Sequence, residues 1–235
     1  MNVKEKENQE KHKAPKSWIV EFWSNVFLVL SYFSTFMVVR KIAPKVTKTY
    51  SFVEYYVTFN TALSVIILFI VTYRREHAEN ILLLSVMIYG FIRTFEIIIY
   101  QINVLLFDEY RANLNGKEYA LRGYRRIVIL LLHNYIEIVC WFGVAYMWFY
   151  RSGHISLPSG SAEPTFLRVF HESMLLMFSF SPDEYSANTT MGLAVFTVHA
   201  IIGLFMTLVV FARFLGLLPP PKTMDEFEND PNEKP

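Results

Sequence analysis

A few ionisable residues interrupt long apolar stretches of this chain, and their spacing suggests what they can do. Arg93 and Glu96 stand three apart, so on a helix they share a face and can pair. His133 and Glu137 stand four apart and also share a face. This second pair can hold a proton or make a polar contact, with Ser173 or with Asn134 of a neighbouring subunit as natural partners. Two ligands do not make a metal site. His199 can sense pH near its ordinary pKa of about 6.5, or pack between helices. An acidic pair, Asp183 and Glu184, follows a short apolar run, and such carboxylates attract cations. Ionisable groups inside a membrane are costly, which makes each of these a functional candidate.

Enzyme chemistry has no footing here. The chain has no Gly-rich phosphate loop, no H-E-x-x-H and no G-x-S-x-G, and His171-Glu172 is an isolated pair. We therefore expect no catalytic residues, no cofactor and no metal. The lone Cys140 cannot form an internal disulfide. A net charge of +1 gives no nucleic-acid signal.

The elements that must position these residues are membrane helices. Hydrophobic residues make up 53% of the chain and charged residues 18%, below the quarter or so usual in soluble domains. Crossing a bilayer takes about 20 apolar residues. Candidate stretches run from about Ser17 to Val39, Phe52 to Tyr73, Ile81 to Phe107, Ile127 to Tyr150 and Thr190 to Leu218. The runs are continuous rather than alternating, which favours helices over a barrel. Trp18, Trp23, Trp141 and Trp148 suit the membrane-interface belt. Between the last two long runs lies Pro164 to Phe178, which at about 1.5 Å per residue reaches only about 22 Å. Pro164 suits its first turn and Glu163 its positive end. The helix should end before Pro182, leaving an irregular segment after it. One reading is a re-entrant pore loop; the other is an amphipathic helix on the membrane surface, with Arg168, His171 and Glu172 outward.

From Tyr124 to Gly216 the chain resembles the two-helix pore module of the potassium-channel superfamily. The residues that carry the resemblance are Asn188-Thr189-Thr190-Met191-Gly192, then Ile201-Ile202-Gly203-Leu204-Phe205, then Phe211-Ala212-Arg213-Phe214. The resemblance implies an outer helix at 125–150, a turret at 151–163, a pore helix at 164–178, a filter-like loop at 179–188 and an inner helix at 189–218. It places the gating hinge at Gly203; tight helix packing is the other use of such a glycine. Filter and ion-binding positions fall on Ser179, Phe180, Ser181, Pro182, Asp183 and Glu184. That family's filter is T-V-G-Y-G, and both glycines are missing here. Without them the carbonyl ladder is not easily built, so strong potassium selectivity is not expected.

The expected fold is therefore all-α: a polytopic transmembrane helical bundle with a C-terminal re-entrant pore-loop module. Residues 1–16 form a polar tail, 17–107 an N-terminal bundle of two or three spans, 108–124 a basic cytoplasmic linker, 125–218 the pore module and 219–235 an acidic tail. The expected function is passage of monovalent or divalent cations across the cell membrane by a homotetramer in the lipid bilayer, because one chain supplies one pore loop. The alternative is a non-conducting, channel-like sensor, adaptor or receptor component. Topology stays open between two forms. Five crossings put the lysine-rich N-terminal tail outside; four crossings, with one early segment in the interface, put it inside.

Overall fold

The computed structural model describes residues 17–35, 41, 50–74, 81–116, 123–158 and 162–216. In chain order its elements are α1 (Trp18–Ser31), α2 (Tyr50–Tyr73), α3 (Ile81–Ile102), a π-helical turn (Asn103–Phe107), α4 (Asp108–Leu114), α5 (Tyr124–Arg151), β1 (Ile155–Ser156), α6 (Phe166–Met177), β2 (Ser186–Ala187) and α7 (Thr190–Leu215). Among the described residues, four helical stretches are long and apolar enough to cross a membrane: Ser51–Tyr73, Ile81–Leu114, Arg125–Arg151 and Thr190–Leu215. The polar tail at 1–16, the acidic tail at 219–235 and positions 117–122 of the expected basic linker lie outside the described residues.

Helix α5 is the hub, packed against α2, α3, α6 and α7. Close approach is set by glycines that meet large side chains. A Cβ on Gly90 would lie 2.8 Å from the Trp141 ring, and one on Gly143 would lie 3.0 Å from Leu68. Trp141 is thus a buried packing residue inside the bundle, not a member of an interface belt. The stretch from Ile138 to Ala145 is uniformly apolar, so its nearest neighbours in sequence give no sign of this depth.

Helix directions follow from the contacts at each end. Arg126 pairs with Glu54 at 2.5 Å near the starts of α5 and α2. At the opposite end, Arg151 donates to the carbonyls of Val71 and Arg74 at 2.8 and 2.6 Å. Helices α2 and α5 therefore run the same way. Helix α1 enters beside the end of α3. Arg111, beyond the π turn, donates to Ser24 Oγ and Ser24 O, both at 3.0 Å, and Asn103 Nδ2 donates to Phe27 O at 3.2 Å. The expected span from Ser17 to Val39 is corrected here. Helix α1 has 14 residues, too few to cross, and Ser34 and Thr35 meet Glu96 partway along α3. Residues 36–39 of that expected span lie outside the described residues.

A buried ionic cluster holds this bundle together. Arg93 Nε and Nη2 donate to Glu137 Oε1 and Oε2 at 2.9 and 3.0 Å. Its Nη1 donates to Glu96 Oε2 at 2.5 Å and to Tyr56 Oη at 3.1 Å, and the guanidinium lies 4.9 Å from the Tyr56 ring centroid. Trp141 Nε1 donates to Glu137 at 3.2 Å. The hydroxyls of Ser34 and Thr35 donate to Glu96. Every carboxylate oxygen of the cluster thus accepts from a donor, which is the condition for burying charge in an apolar medium. The expected Arg93–Glu96 pair is present. Glu137 faces Arg93, not Ser173 or Asn134, because the fork of a buried guanidinium is best met by two oxygens of one carboxylate.

Removing Arg93 takes the guanidinium away from two buried carboxylates. Arg93→Met should lower stability by about 3–5 kcal/mol in denaturant titration of the purified protein in detergent. Combining it with Glu137→Leu should recover part of that loss; no recovery would mean that the buried charges are not the source of the cost.

Candidate functional site

The candidate site is α6 and the loop after it, held between α5 and α7. Its depth can be read from the contacts. At the start of α6 the Phe166 ring lies 6.1 Å from Phe69, which stacks on Tyr73 at the end of α2. One turn on, Val169 lies 3.3 Å from where a Gly143 Cβ would stand. Ser173 Oγ then donates to Val139 O at 2.6 Å, and Tyr135 Oη donates to Met177 O at 3.4 Å. Each turn of α6 thus meets an earlier turn of α5, so the two helices run antiparallel. Helix α6 stops beside Gly203 of α7, where any Cβ would collide with Met177 O. Gly203 is thirteen residues from the start of α7 at Thr190, roughly 20 Å at about 1.5 Å per residue.

The chain then returns the way it came. Ile155 and Ser156 pair antiparallel with Ala187 and Ser186, and Asn188 N donates to His154 O at 2.9 Å. The end of α5 and the start of α7 therefore sit side by side, with α6 and its loop entering and leaving between them. The expected pore helix at 164–178 is shorter as observed. Thr165 is extended and precedes the first turn, so Pro164 stands outside the helix rather than in it.

How α6 ends explains its stopping place. Ser179 N donates to Leu176 O at 2.9 Å and Phe180 N to Leu175 O at 2.8 Å. This paired closure is a Schellman motif, and it needs a left-handed residue, usually glycine. Here Ser179 takes that role with φ of 62°, the single non-glycine residue with positive φ among those described. Its hydroxyl donates to Ala200 O at 3.4 Å. Phe178, Ser179, Phe180 and Ser181 are exposed on the surface of the single chain, and Pro182 is half-buried.

The return loop is anchored by a residue whose role the sequence does not disclose. Glu172 is 1% exposed. Its carboxylate accepts from the backbone N–H groups of Asp183, Glu184 and Tyr185 at 3.0, 3.0 and 3.4 Å. The expectation that Glu172 faces outward is thereby corrected: buried amides need an acceptor, and this carboxylate turns inward to meet them. His171, its neighbour, is exposed. The available signal is periodicity, since Val169, Glu172, Ser173 and Leu176 fall on one buried helical face.

The two acidic filter candidates differ in status. Glu184 is paired with Arg168 at 2.7 Å, and this bond raises the Arg168 pKa above that of an ordinary guanidinium. Asp183 is exposed. Burial, then the Glu172 carboxylate, raises the pKa of the Tyr185 phenol, which stays protonated.

The remaining candidates lie elsewhere. His199 is fully buried, stacked on Phe142 with ring centroids 3.8 Å apart and hydrogen-bonded through Nδ1 to Tyr146 Oη. His133 is half-buried, its Nδ1 against Ile129 O at 2.8 Å, and does not join Glu137. Among the described residues no group of three or more His, Cys, Asp or Glu side chains is arranged to hold a metal. Comparison with protein families, with curated proteins and with solved structures finds no match.

Glu172→Gln keeps the shape but removes one acceptor oxygen and the charge. Amide hydrogen exchange at Asp183, Glu184 and Tyr185 should quicken by about tenfold or more. Unchanged exchange there would mean that the carboxylate does not hold the loop.

Proposed function

We propose that this protein is a membrane channel in which α6 is a re-entrant half-helix, and that four copies surround a cation path lined by their 179–184 loops. The observation that carries the reading is the course of α6: antiparallel to α5, ending beside Gly203, with its loop returning to His154. Irregular backbone at membrane depth is tolerated only where protein or water surrounds it. The exposed stretch Phe178–Ser181 has protein on one side only, and a shared aqueous axis would supply the other. The C-terminal end of α6 carries the negative end of its dipole toward that axis, which favours cations.

Two expectations change in detail. A ring of carboxylates would rest on Asp183, because Glu184 is already neutralised by Arg168. Gating at Gly203 would require α7 to part from Met177 O, so the glycine serves close contact as well as bending.

Topology favours four crossings. The start of α1 and the starts of α2 and α5 share one end of the bundle with Arg111 and Arg126. Sequence ahead of α1 carries Lys4, Lys6, Lys11, Lys13 and Lys16, and sequence between α1 and α2 carries Arg40, Lys41, Lys45 and Lys48. The opposite end has Arg74, Arg151 and Arg168, and the sequence between α2 and α3 adds Arg75. Basic residues mark the cytoplasmic side, so both the N-terminal sequence and the Arg111–Arg126 linker belong inside.

Planar-bilayer recordings with potassium, sodium and calcium gradients should show cation current. Asp183→Asn should reduce it severalfold, and Glu184→Gln much less. Equal currents in wild type and Asp183→Asn would reject the carboxylate ring. Tetramers by crosslinking with no current under any gradient would favour the non-conducting sensor or adaptor, and a clean monomer would remove the pore.

A further inference from the structure

We propose that His199 is a proton-operated release for α7: uptake of a proton by this buried ring favours a form in which α7 has parted from α5. Helix α7 is attached to the rest of the chain along one buried stripe that runs from Gly192 to Val209, and His199 stands at its middle. The ring is 0% exposed and lies flat on Phe142, with centroids 3.8 Å apart and planes 3° apart. Its Nδ1 is hydrogen-bonded to Tyr146 Oη, and its buried Nε2 has no hydrogen-bond partner. With the Tyr146 hydroxyl donating to Nδ1, the ring is neutral and one donor, the Nε2–H, goes unmade. A proton at Nδ1 adds to the cost. Tyr146 must then accept instead of donate, so its own hydrogen loses its acceptor, and a positive charge joins two unmade donors. Charge buried without an ionised partner is among the costliest arrangements in an apolar interior. Water at Nε2 removes that cost, and it reaches this nitrogen only when α7 moves off α5.

No carboxylate on the packed elements is placed to take the charge. On α7 itself the other ionisable side chain is Arg213, fourteen positions away. On α5, Glu137 is bound to Arg93 at 2.9 Å, His133 turns Nδ1 to Ile129 O, and Arg125, Arg126 and Arg151 stand at the helix ends. On α6, Glu172 accepts three loop amides, Arg168 pairs with Glu184 at 2.7 Å, and His171 is exposed. On α3, Glu96 meets Arg93 at 2.5 Å. Beyond Tyr146 lies Tyr185, a phenol, with ring centroids 6.0 Å apart. An imidazole in water takes up its proton at about pH 6.5, so the parted form gains on the packed form by about tenfold for each pH unit below that value. Gly203 lies one turn beyond His199 on the same face, where it lets α7 touch Met177 O. The same movement therefore unseals the end of α6. The inference rests on helix packing and not on conduction, so a protein that carries no current can still show it.

The test measures the distance between α2 and α7 by pulsed electron spin resonance on the full chain in lipid nanodiscs. Spin labels are attached at Tyr55→Cys and Leu208→Cys, both exposed positions, in a Cys140→Ala background. Labelled chains are diluted with unlabelled ones, so that each measured pair lies within one chain. The chain with His199 should give one short distance at about pH 7.5. A longer distance should grow as pH falls through about 6.5, the ratio of long to short rising about a hundredfold by about pH 4.5. His199→Phe keeps the stack on Phe142 without a titrating nitrogen and should hold the short distance throughout. His199→Gln offers Tyr146 an acceptor without titrating. It should hold the short distance too, and it covers the case in which the phenylalanine variant does not fold. The proposal is overturned by an unchanged distance in the chain with His199, or by an acid response retained in either variant.

Discussion

A helix that stops at the middle of a bundle must have its last carbonyls, and the amides after it, satisfied by protein. Where protein or hydrocarbon excludes water, each unmade hydrogen bond costs several kcal/mol. Helix α6 meets that demand in three ways. Ser179 closes the last turn upon Leu175 and Leu176, Tyr135 donates to Met177 O, and Glu172 collects three amides of the returning loop. Gly203 allows α7 to approach Met177 closely enough to seal the end. Without this set of contacts, the loop at 179–185 would have no fixed shape.

The ionic cluster at Arg93 does a related task for the other half of the chain. It joins α2, α3 and α5 with the segment after α1 through donors that saturate both carboxylates. Because α5 also forms one wall for α6, the cluster fixes the helix against which the half-helix is measured. Buried ion pairs add little net stability over apolar packing, so the cluster is better understood as setting which helices meet and in what register.

Much of this architecture is legible in the sequence. The four long apolar helices, the short run near Met174 and its stop before Pro182 follow from length, hydropathy and proline chemistry. So does the Arg93–Glu96 pair, from spacing alone. What escapes is long-range. The third partner, Glu137, lies 44 positions from Arg93, and local spacing ties it instead to His133. Glu172 reads as a surface charge beside His171 because its acceptor role depends on a loop 11 to 13 residues later. Trp141 reads as interfacial because tryptophan identity carries no depth, whereas Gly90 across from it decides the matter. The apolar run after Ser17 reads as one span because its break at Tyr32–Ser34 carries neither proline nor glycine.

In the proposed arrangement α6 and its loop enter and leave at one face of the membrane. Single cysteines at Glu163 and Ser186, introduced with Cys140→Ala, would be exposed to a membrane-impermeant maleimide in sealed, oriented vesicles, beside a third at Asn115. The first two should react from the same face and Asn115 from the other. Labelling of Glu163→Cys and Ser186→Cys from opposite faces would contradict it.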